Sequence, residues 1–329
     1  MMVYWRPDFA PGQQIVLAQP YRRDVWRQSA RPARKCIESL AQLLRQYHPI
    51  CLLTPQTVSY DDIWMRDILP LWYQEESGEW RGLLMEFDGW GDVQQTIEQD
   101  SQLPEQLFAE QLYPVSKLIG EGGMLTHNGQ VALMGLAALK SRQPELTVKQ
   151  LSRRVEKNLA GLEVYFFDGK LSADETSGHM DNLALFIADD VLLYCATEDP
   201  THPDFLTCQK LAEVIEQLPP EITKVPLPLP KPQQPLAQDR AGIISDSQSL
   251  VRDLSLPICC SYTNLIATDK VIVVPQFDLS TDEPALDVIQ RYAGNRKVVS
   301  HPARELVLGG GGLHCVSHQV PADIALPVI

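Results

Sequence analysis

No two of the seven cysteines stand in a C-x-x-C pair, so a structural zinc site has no support. They fall at Cys36, Cys51, Cys195, Cys208, Cys259, Cys260 and Cys315, an odd and scattered set that argues against a disulfide framework. Most of them read as small buried hydrophobes. Long apolar runs are missing too. The richest stretch, "NLALFIADDVLLYCA", is broken by Asp189 and Asp190, short of the ~18 residues a membrane span needs. The N-terminal "MMVYWRPDFAPGQQ" has no basic region leading into an apolar core, so no secretory signal is expected and a cytoplasmic setting is. Positive charge is scarce: 28 Lys and Arg stand against 42 Asp and Glu, a net charge of -14. Phosphate neutralisation needs a basic surface, so nucleic acid is excluded as a partner, as is a membrane. The acidity is compatible with a cationic substrate without selecting one. The G-x-x-x-x-G-K-[ST] arrangement is also absent, so the glycine run Gly309 to Gly312 is no phosphate loop.

What is present is globular in composition, 44% apolar and 21% charged. Four segments carry the 3.6-residue apolar period of a packed helix. They run from Cys36 to Tyr47, Val148 to Leu159, Phe205 to Ile215, and about Pro284 to Tyr292. Thr147 and Gln150 form a capping box ahead of the second, and Gly161 is placed to end it. Between the helices lie hairpin signals, with turns at Ser77-Gly78, Asn128-Gly129, Asp189-Asp190 and Thr268-Asp269. Asn128-Gly129 suits a type I′ turn.

A polar residue precedes each of the first three hairpins: Asp67, Glu121, and His179 with Asp181; Asn264 begins the fourth, and Cys315 begins a last strand. The intervals are roughly 50–60 residues except one, which is longer by about 30 and holds a Pro-rich stretch over 231–256 that reads as an inserted loop. The expectation is an α/β chain of five ββαβ units within one domain, 1–329. The last unit is completed by the N-terminal "QQIVLAQP", the first helix and "ICLLTP". Arranged as a five-bladed propeller with pseudo-fivefold symmetry, the units would gather the six polar residues at one end of a central channel. The competing reading is an α+β fold with scattered polar strand ends.

The chemistry starts at "GGGGLHCVSHQVP". Glycines let backbone approach a ligand closely, and Cys315 follows directly behind them. A thiolate needs a partner and a base. His179, in "SGHMDN" after Gly178, is the natural one; on a strand its i+2 neighbour Asp181 would share its face. His314, adjacent to Cys315, would point oppositely and make the poorer base. Asp67, in "DDIWMRDILPLW", is a charge among apolar neighbours, which implies pairing. Two carboxylates, Asp67 and Asp181, beside a thiol suit a flat cation with several N–H donors.

These segments resemble a family. "WMRD", "EGG", "GHMDN", "SYTNL", "VVPQFD…DEPAL" and "GGGGLHCVSHQVP" occur in the order found in agmatine deiminases and the related bacterial peptidylarginine deiminases, of the guanidino-modifying pentein superfamily. The resemblance covers about residues 10 to 321 and implies a five-bladed α/β propeller. By motif it implies that Cys315 is the nucleophile, His179 the general acid/base, and Asp67 and Asp181 the guanidinium clamps. It assigns Trp64 and Glu121 to the pocket, and Arg66, Gly178, Asn264, Gly310 and Gly311 join them as candidate substrate-binding residues. The sequence departs from the family pattern at Ile68-Leu69-Pro70, Met124, Gly312 and His318. Those departures bear on the substrate rather than on the reaction type.

The implied reaction is hydrolytic deimination through a covalent thiouronium, without metal or organic cofactor. Agmatine is the leading substrate, giving N-carbamoylputrescine and ammonia. A deiminase of free or peptide-terminal arginine is the alternative, and Arg66, Arg240 or Arg252 could meet its carboxylate. A non-catalytic guanidino-binding protein is the rival from another class, with a peptide-cleaving cysteine hydrolase and a Cys/His/Asp metal site behind it. A homodimer is an allowed assembly.

Overall fold

The computed structural model describes residues 3–94, 96–113, 117–244 and 256–326. The chain opens with β1 (Val3–Trp5) and β2 (Gln13–Ala18), then crosses through α1 (Arg31–Leu44) to β3 (Ile50–Leu53). One helical turn, α2 (Met65–Ile68), leads into β4 (Leu71–Glu75) and β5 (Trp80–Leu83). The tight turn α3 (Gly89–Asp92) and α4 (Glu98–Phe108) return the chain to β6 (Leu112–Tyr113). The next stretch is β7 (Leu125–His127), β8 (Val131–Gly135), α5 (Leu136–Arg142), α6 (Val148–Asn158) and β9 (Glu163–Phe167). It is followed by β10 (Ala184–Ala188), β11 (Val191–Ala196), α7 (Phe205–Ile215) and β12 (Thr223–Pro228). The chain then runs through β13 (Ile266–Ala267), β14 (Val271–Gln276), α8 (Asp282–Tyr292) and β15 (Lys297–Pro302) to α9 (Arg304–Gly309) and β16 (His318–Pro321).

Among the described residues these strands form five sheets with one internal logic. Two strands pair antiparallel, a helix crosses over, and a third strand adds in parallel. The order β10-β11-β12 recurs in β13-β14-β15 and β7-β8-β9, and in β4-β5-β6 with β1 added at its edge. The fifth sheet, β16-β2-β3, joins the two ends of the chain, with His318 opposite Val16 and Pro321 opposite Gln13. The expected completion of the last unit by N-terminal segments is therefore observed. The strands β2, β8, β10, β11 and β14 bury most or all of their side chains, whereas the added parallel strands β3, β9, β12 and β15 stay largely half-exposed.

Local chemistry accounts for the helix limits. The capping box at Thr147 and Gln150 forms, and Gly161 follows α6 with φ 96°. The first helix starts earlier than its apolar period suggests, at Arg31. Pro32 suits a first turn, and Ala33 shares the buried stripe with Ile37, Leu40, Ala41 and Leu44. It ends at Leu44 rather than Tyr47, whose N–H closes a tighter turn onto Leu44 O. The Asn128-Gly129 turn is not type I′: Gly129 alone of the pair has positive φ, and Asn128 Oδ1 accepts from the Gln130 and Val131 N–H groups.

One expectation needs correcting because it concerns how the site is built. His179, Asp181 and Cys315 do not sit on strands. Asp67 is in α2, Glu121 and His179 each stand just before a 3-10 turn, and Cys315 lies in a turn ahead of β16. Period-two alternation therefore does not govern them, and it gives no reason for His314 to face away from Cys315.

Candidate active site

Cys315 is 6% exposed and is held from two sides. Asn264 Nδ2 donates to Sγ at 3.0 Å, while Asn264 Oδ1 accepts from the His314 and Cys315 N–H groups at 2.9 and 3.4 Å. The thiol in turn donates to Asp181 Oδ2 at 3.4 Å. Its carbonyl accepts from Arg66 N at 3.1 Å, which fixes the turn against α2. Gly311 packs so closely that a Cβ there would sit 2.6 Å from the Trp64 ring and 2.9 Å from Cys315 Cβ.

His179 stands between two carboxylates, Nε2 3.3 Å from Glu121 Oε2 and Nδ1 3.8 Å from Asp67 Oδ1. Its loop carries Ser177 and Gly178 at positive φ, and Asp174 accepts from the Gly178 and His179 N–H groups. Asp67 Oδ1 takes the Gly123 N–H at 2.8 Å, and its Oδ2 takes Trp90 Nε1 at 2.9 Å. Trp90 itself has φ 61°, a left-handed conformation for a bulky residue, braced by Gly89 and Gly91. Glu121 is wholly buried and paired to Arg142 Nε at 2.8 Å. Asp181, also wholly buried, meets His314 Nδ1 at 2.9 Å through Oδ2, while its Oδ1 has no partner.

The electrostatics follow from burial opposed by neighbours. Burial pulls His179 down, but Asp67, Glu121 and Asp181 outweigh it and lift it to about 9. Burial raises Asp67 to about 6, with His179 opposing and Asp181 and Glu121 adding to the rise. Burial also drives the Cys315 thiol well up, reinforced by Asp181 and Asp67 and resisted by the Asn264 hydrogen bond. These neighbours favour a charged imidazole and a neutral thiol at neutral pH. Burial pushes Asp181 up, yet His314, His179 and the Cys315 hydrogen bond together outweigh it and hold the carboxyl below its usual range.

A cavity with about 550 Å³ of empty space, part of it open to solvent, reaches the sulfur. Cys315, His179, Asp67, Trp64, Gly310 and Gly311 line it, as the sequence suggests. Arg66, Glu121, Asp181, Gly178 and Asn264 stand behind those residues. Arg66 corrects an expectation: its guanidinium pairs with Asp8 at 3.1 Å and with Gln319, and it lines a separate chamber of about 430 Å³ together with His127 and His318. It is therefore not placed to receive a substrate carboxylate beside Cys315. Arg240 lines neither space, while Arg252 and residues 245–255 of the Pro-rich loop lie outside the described residues.

The departures from the family pattern also fall behind the cavity rather than in its wall. His318 Nε2 bonds Pro70 O at 3.0 Å, so two of them meet each other. Ile68, Leu69 and Met124 are core residues. Gly312 is needed where it is, since a Cβ would lie 2.4 Å from Asn264 Oδ1. Sequence reasoning missed Asp62, Trp90, Glu175 and Gln94 in the cavity wall, and Asp8 and Arg142 behind it. Only Trp90, set between glycines, carried a readable signal, that of a forced turn. Among the described residues no group of three or more His, Cys, Asp or Glu is arranged to hold a metal ion.

The sequence profile of the Porphyromonas-type peptidyl-arginine deiminases matches residues 4–321. The agmatine deiminase of Pseudomonas syringae pv. tomato is 26% identical over 96% of this chain and 94% of its own. Among solved structures, the agmatine deiminase of Enterococcus faecalis superposes with a TM-score of 0.89 at 23% identity, covering 97% of this chain and 96% of that one. The C. jejuni agmatine deiminase does so at 0.80 and 20%, covering 98% of each chain.

Proposed function

The chain belongs to the Porphyromonas-type peptidyl-arginine deiminase family, and we propose that it hydrolyses agmatine to N-carbamoylputrescine and ammonia, with Cys315 as nucleophile. It is a hydrolase of amidine C–N bonds. The same reading sets the five sheets as blades around a channel, the arrangement that the β16–β2 pairing of the chain ends and the common ββαβ order support. The domain is then one closed ring, with the Pro-rich segment an excursion from it.

The observation that carries the choice of substrate is the charge of the cavity wall. Among the described residues Asp62, Asp67 and Glu175 line it and no arginine or lysine does. Agmatine is a dication with a guanidinium at one end and an ammonium at the other. Arginine would bring a carboxylate into this acidic, partly apolar slot, where the one described cationic group in the wall, His179, already faces Asp67 and Glu121. Trp64 and Trp90, both in the wall and 6.4 Å apart between ring centroids, present apolar surface that suits a methylene chain.

In the reaction Asp67 and the free Oδ1 of Asp181 hold the guanidinium by charge-assisted hydrogen bonds. The arriving cation offsets the carboxylates that hold the thiol neutral, and Cys315 ionises only when substrate is bound, losing its proton to solvent. The thiolate adds to the guanidinium carbon. The His179 imidazolium gives its proton to the departing nitrogen; the C–N bond breaks, ammonia leaves, and an S-alkylthiouronium remains. His179, now neutral, takes a proton from water. The hydroxide adds to the same carbon, the C–S bond breaks with the hydroxyl proton passing to the departing sulfur, and the neutral ureido product is released while His179 is left protonated.

The test is a panel of agmatine, arginine and a C-terminal-arginine peptide, scored for ammonia and ureido product. Agmatine should have the highest kcat/KM, and Cys315→Ala should abolish turnover while agmatine still raises Tm. Preference for either arginine substrate would remove the assignment, and activity surviving in Cys315→Ala would remove the mechanism.

A further inference from the structure

His314 is the imidazole that the deimination steps leave unused, yet it lies nearer the sulfur's hydrogen-bond network than His179 does. Its Nδ1 is 2.9 Å from Asp181 Oδ2, the oxygen that also accepts from the Cys315 thiol. Its Nε2 is 2.8 Å from Asp8 Oδ2, and Asp8 Oδ1 meets Arg66 at 3.1 Å. The ring is 1% exposed. A neutral imidazole has one N–H and one lone pair, so between two carboxylates it would press the lone pair against an anion. The imidazolium has two N–H groups and matches both contacts.

Resting on the deiminase reading, we propose that His314, clamped by Asp8, is a positioning residue that supplies a buried positive charge to keep Asp181 ionised and turned toward both the thiol and the guanidinium. With Oδ2 committed to His314 and the sulfur, Oδ1 of Asp181 is buried and unpartnered, the acceptor left for substrate. A wholly buried carboxylate without a cation would take up a proton and become a poor clamp. The titratable and charged groups facing His314 from the surrounding elements are Asp181, Asp8, Arg66 and His318, with His127 beyond Asp8. Burial and Arg66 lower its pKa while Asp181 and Asp8 raise it, and the carboxylates prevail. Asp8 therefore acts on the reaction from the far chamber without touching substrate.

Two measurements test this. In wild-type protein labelled with 15N-histidine, and with the His314 signal assigned by its loss in His314→Gln, both ring nitrogens should be protonated at pH 7. A single neutral tautomer overturns the proposal, and this readout needs no turnover. In the pH profile of kcat/KM for agmatine, Asp8→Asn and His314→Gln should move the acid limb up by about one pH unit or more and steepen it as Asp181 joins the titration. The loss at pH 6 should be at least about tenfold, with recovery toward pH 8.5. Variants that fold and lose activity evenly at all pH values, with the limb unmoved, overturn it in favour of packing alone. A wild-type enzyme inert toward every guanidino substrate would instead remove the deiminase reading.

Discussion

Asn264 grips Cys315 at both ends, donating from Nδ2 to Sγ at 3.0 Å and accepting from its backbone N–H at 3.4 Å. One amide thus sets where the sulfur points and supplies the hydrogen bond that opposes the upward push of burial on the thiol. Asn264→Ala should raise the thiol pKa further and lower kcat about ten- to hundredfold, with a smaller effect on KM. The pH dependence of iodoacetamide alkylation checks it: an unchanged profile would sink the assignment.

The pH profile of the wild type has two sources. On the proposed mechanism Asp67, raised to about 6, must be ionised to clamp the guanidinium, and His179, raised to about 9, must be protonated to release ammonia. The kcat/KM for agmatine should therefore rise through about 6 and fall through about 9. Stability follows the same histidine. Its folded pKa lies above the unfolded value near 6.5, so its contribution is complete below about 6.5 and is lost as pH rises to about 9. Thermal denaturation of wild type against His179→Gln should show the difference shrinking across that window.

Gly123 has no side chain because His179 and Asp67 occupy the space one would need. A Cβ there would lie 2.4 Å from His179 Nδ1 and 2.7 Å from Asp67 Oδ1. Its φ is not positive, so alanine meets no backbone penalty and the clash is with the site alone. Gly123→Ala should cost roughly 1–3 kcal/mol of stability and reduce kcat by more than about a hundredfold. Near-wild-type turnover in the folded variant would show that the general acid tolerates displacement.

Asp62 should separate stability from binding. It is 2% exposed, lines the cavity, and is raised to about 6 by burial, with Arg22 and the Trp26 and Ile63 donors opposing. Because its folded pKa lies above the unfolded value, its charge burdens the native state increasingly as pH rises from about 4 through 6. Asp62→Asn keeps Oδ1 for Trp26 Nε1 and the Ile63 N–H, so it should gain on the order of 1–2 kcal/mol at pH 8. If this carboxylate faces the substrate's ammonium, KM for agmatine should rise about tenfold with kcat little changed. A KM equal to that of wild type would place the ammonium elsewhere in the cavity.

The groups that meet around Cys315 were legible in the sequence because each is announced by a short local pattern. Gly309–Gly312 ahead of Cys315, Gly178 ahead of His179 and the glycines after Glu121 mark tight turns, and tight turns are decided by residues a few positions apart. The hairpins and the helix caps were readable for the same reason. The order of elements then implied the repeat, and the last unit had to borrow from the N-terminus because it lacked a helix and a third strand of its own.

Tertiary structure decided what each charge faces. Arg66 and Asp67 are neighbours in one helical turn, yet Asp67 lines the cavity of Cys315 while Arg66 turns to Asp8 and Gln319 in the other chamber. Asp62 shares their segment and reaches the cavity, and Asp8 reaches His314 across most of the chain's length. Such pairings depend on how sheets far apart in sequence pack, and a buried charge adopts whichever counter-charge that packing brings within hydrogen-bond reach. The sequence by itself determined which chemical groups this protein owns and in what order its units repeat; only the folded chain determined which of those groups meet.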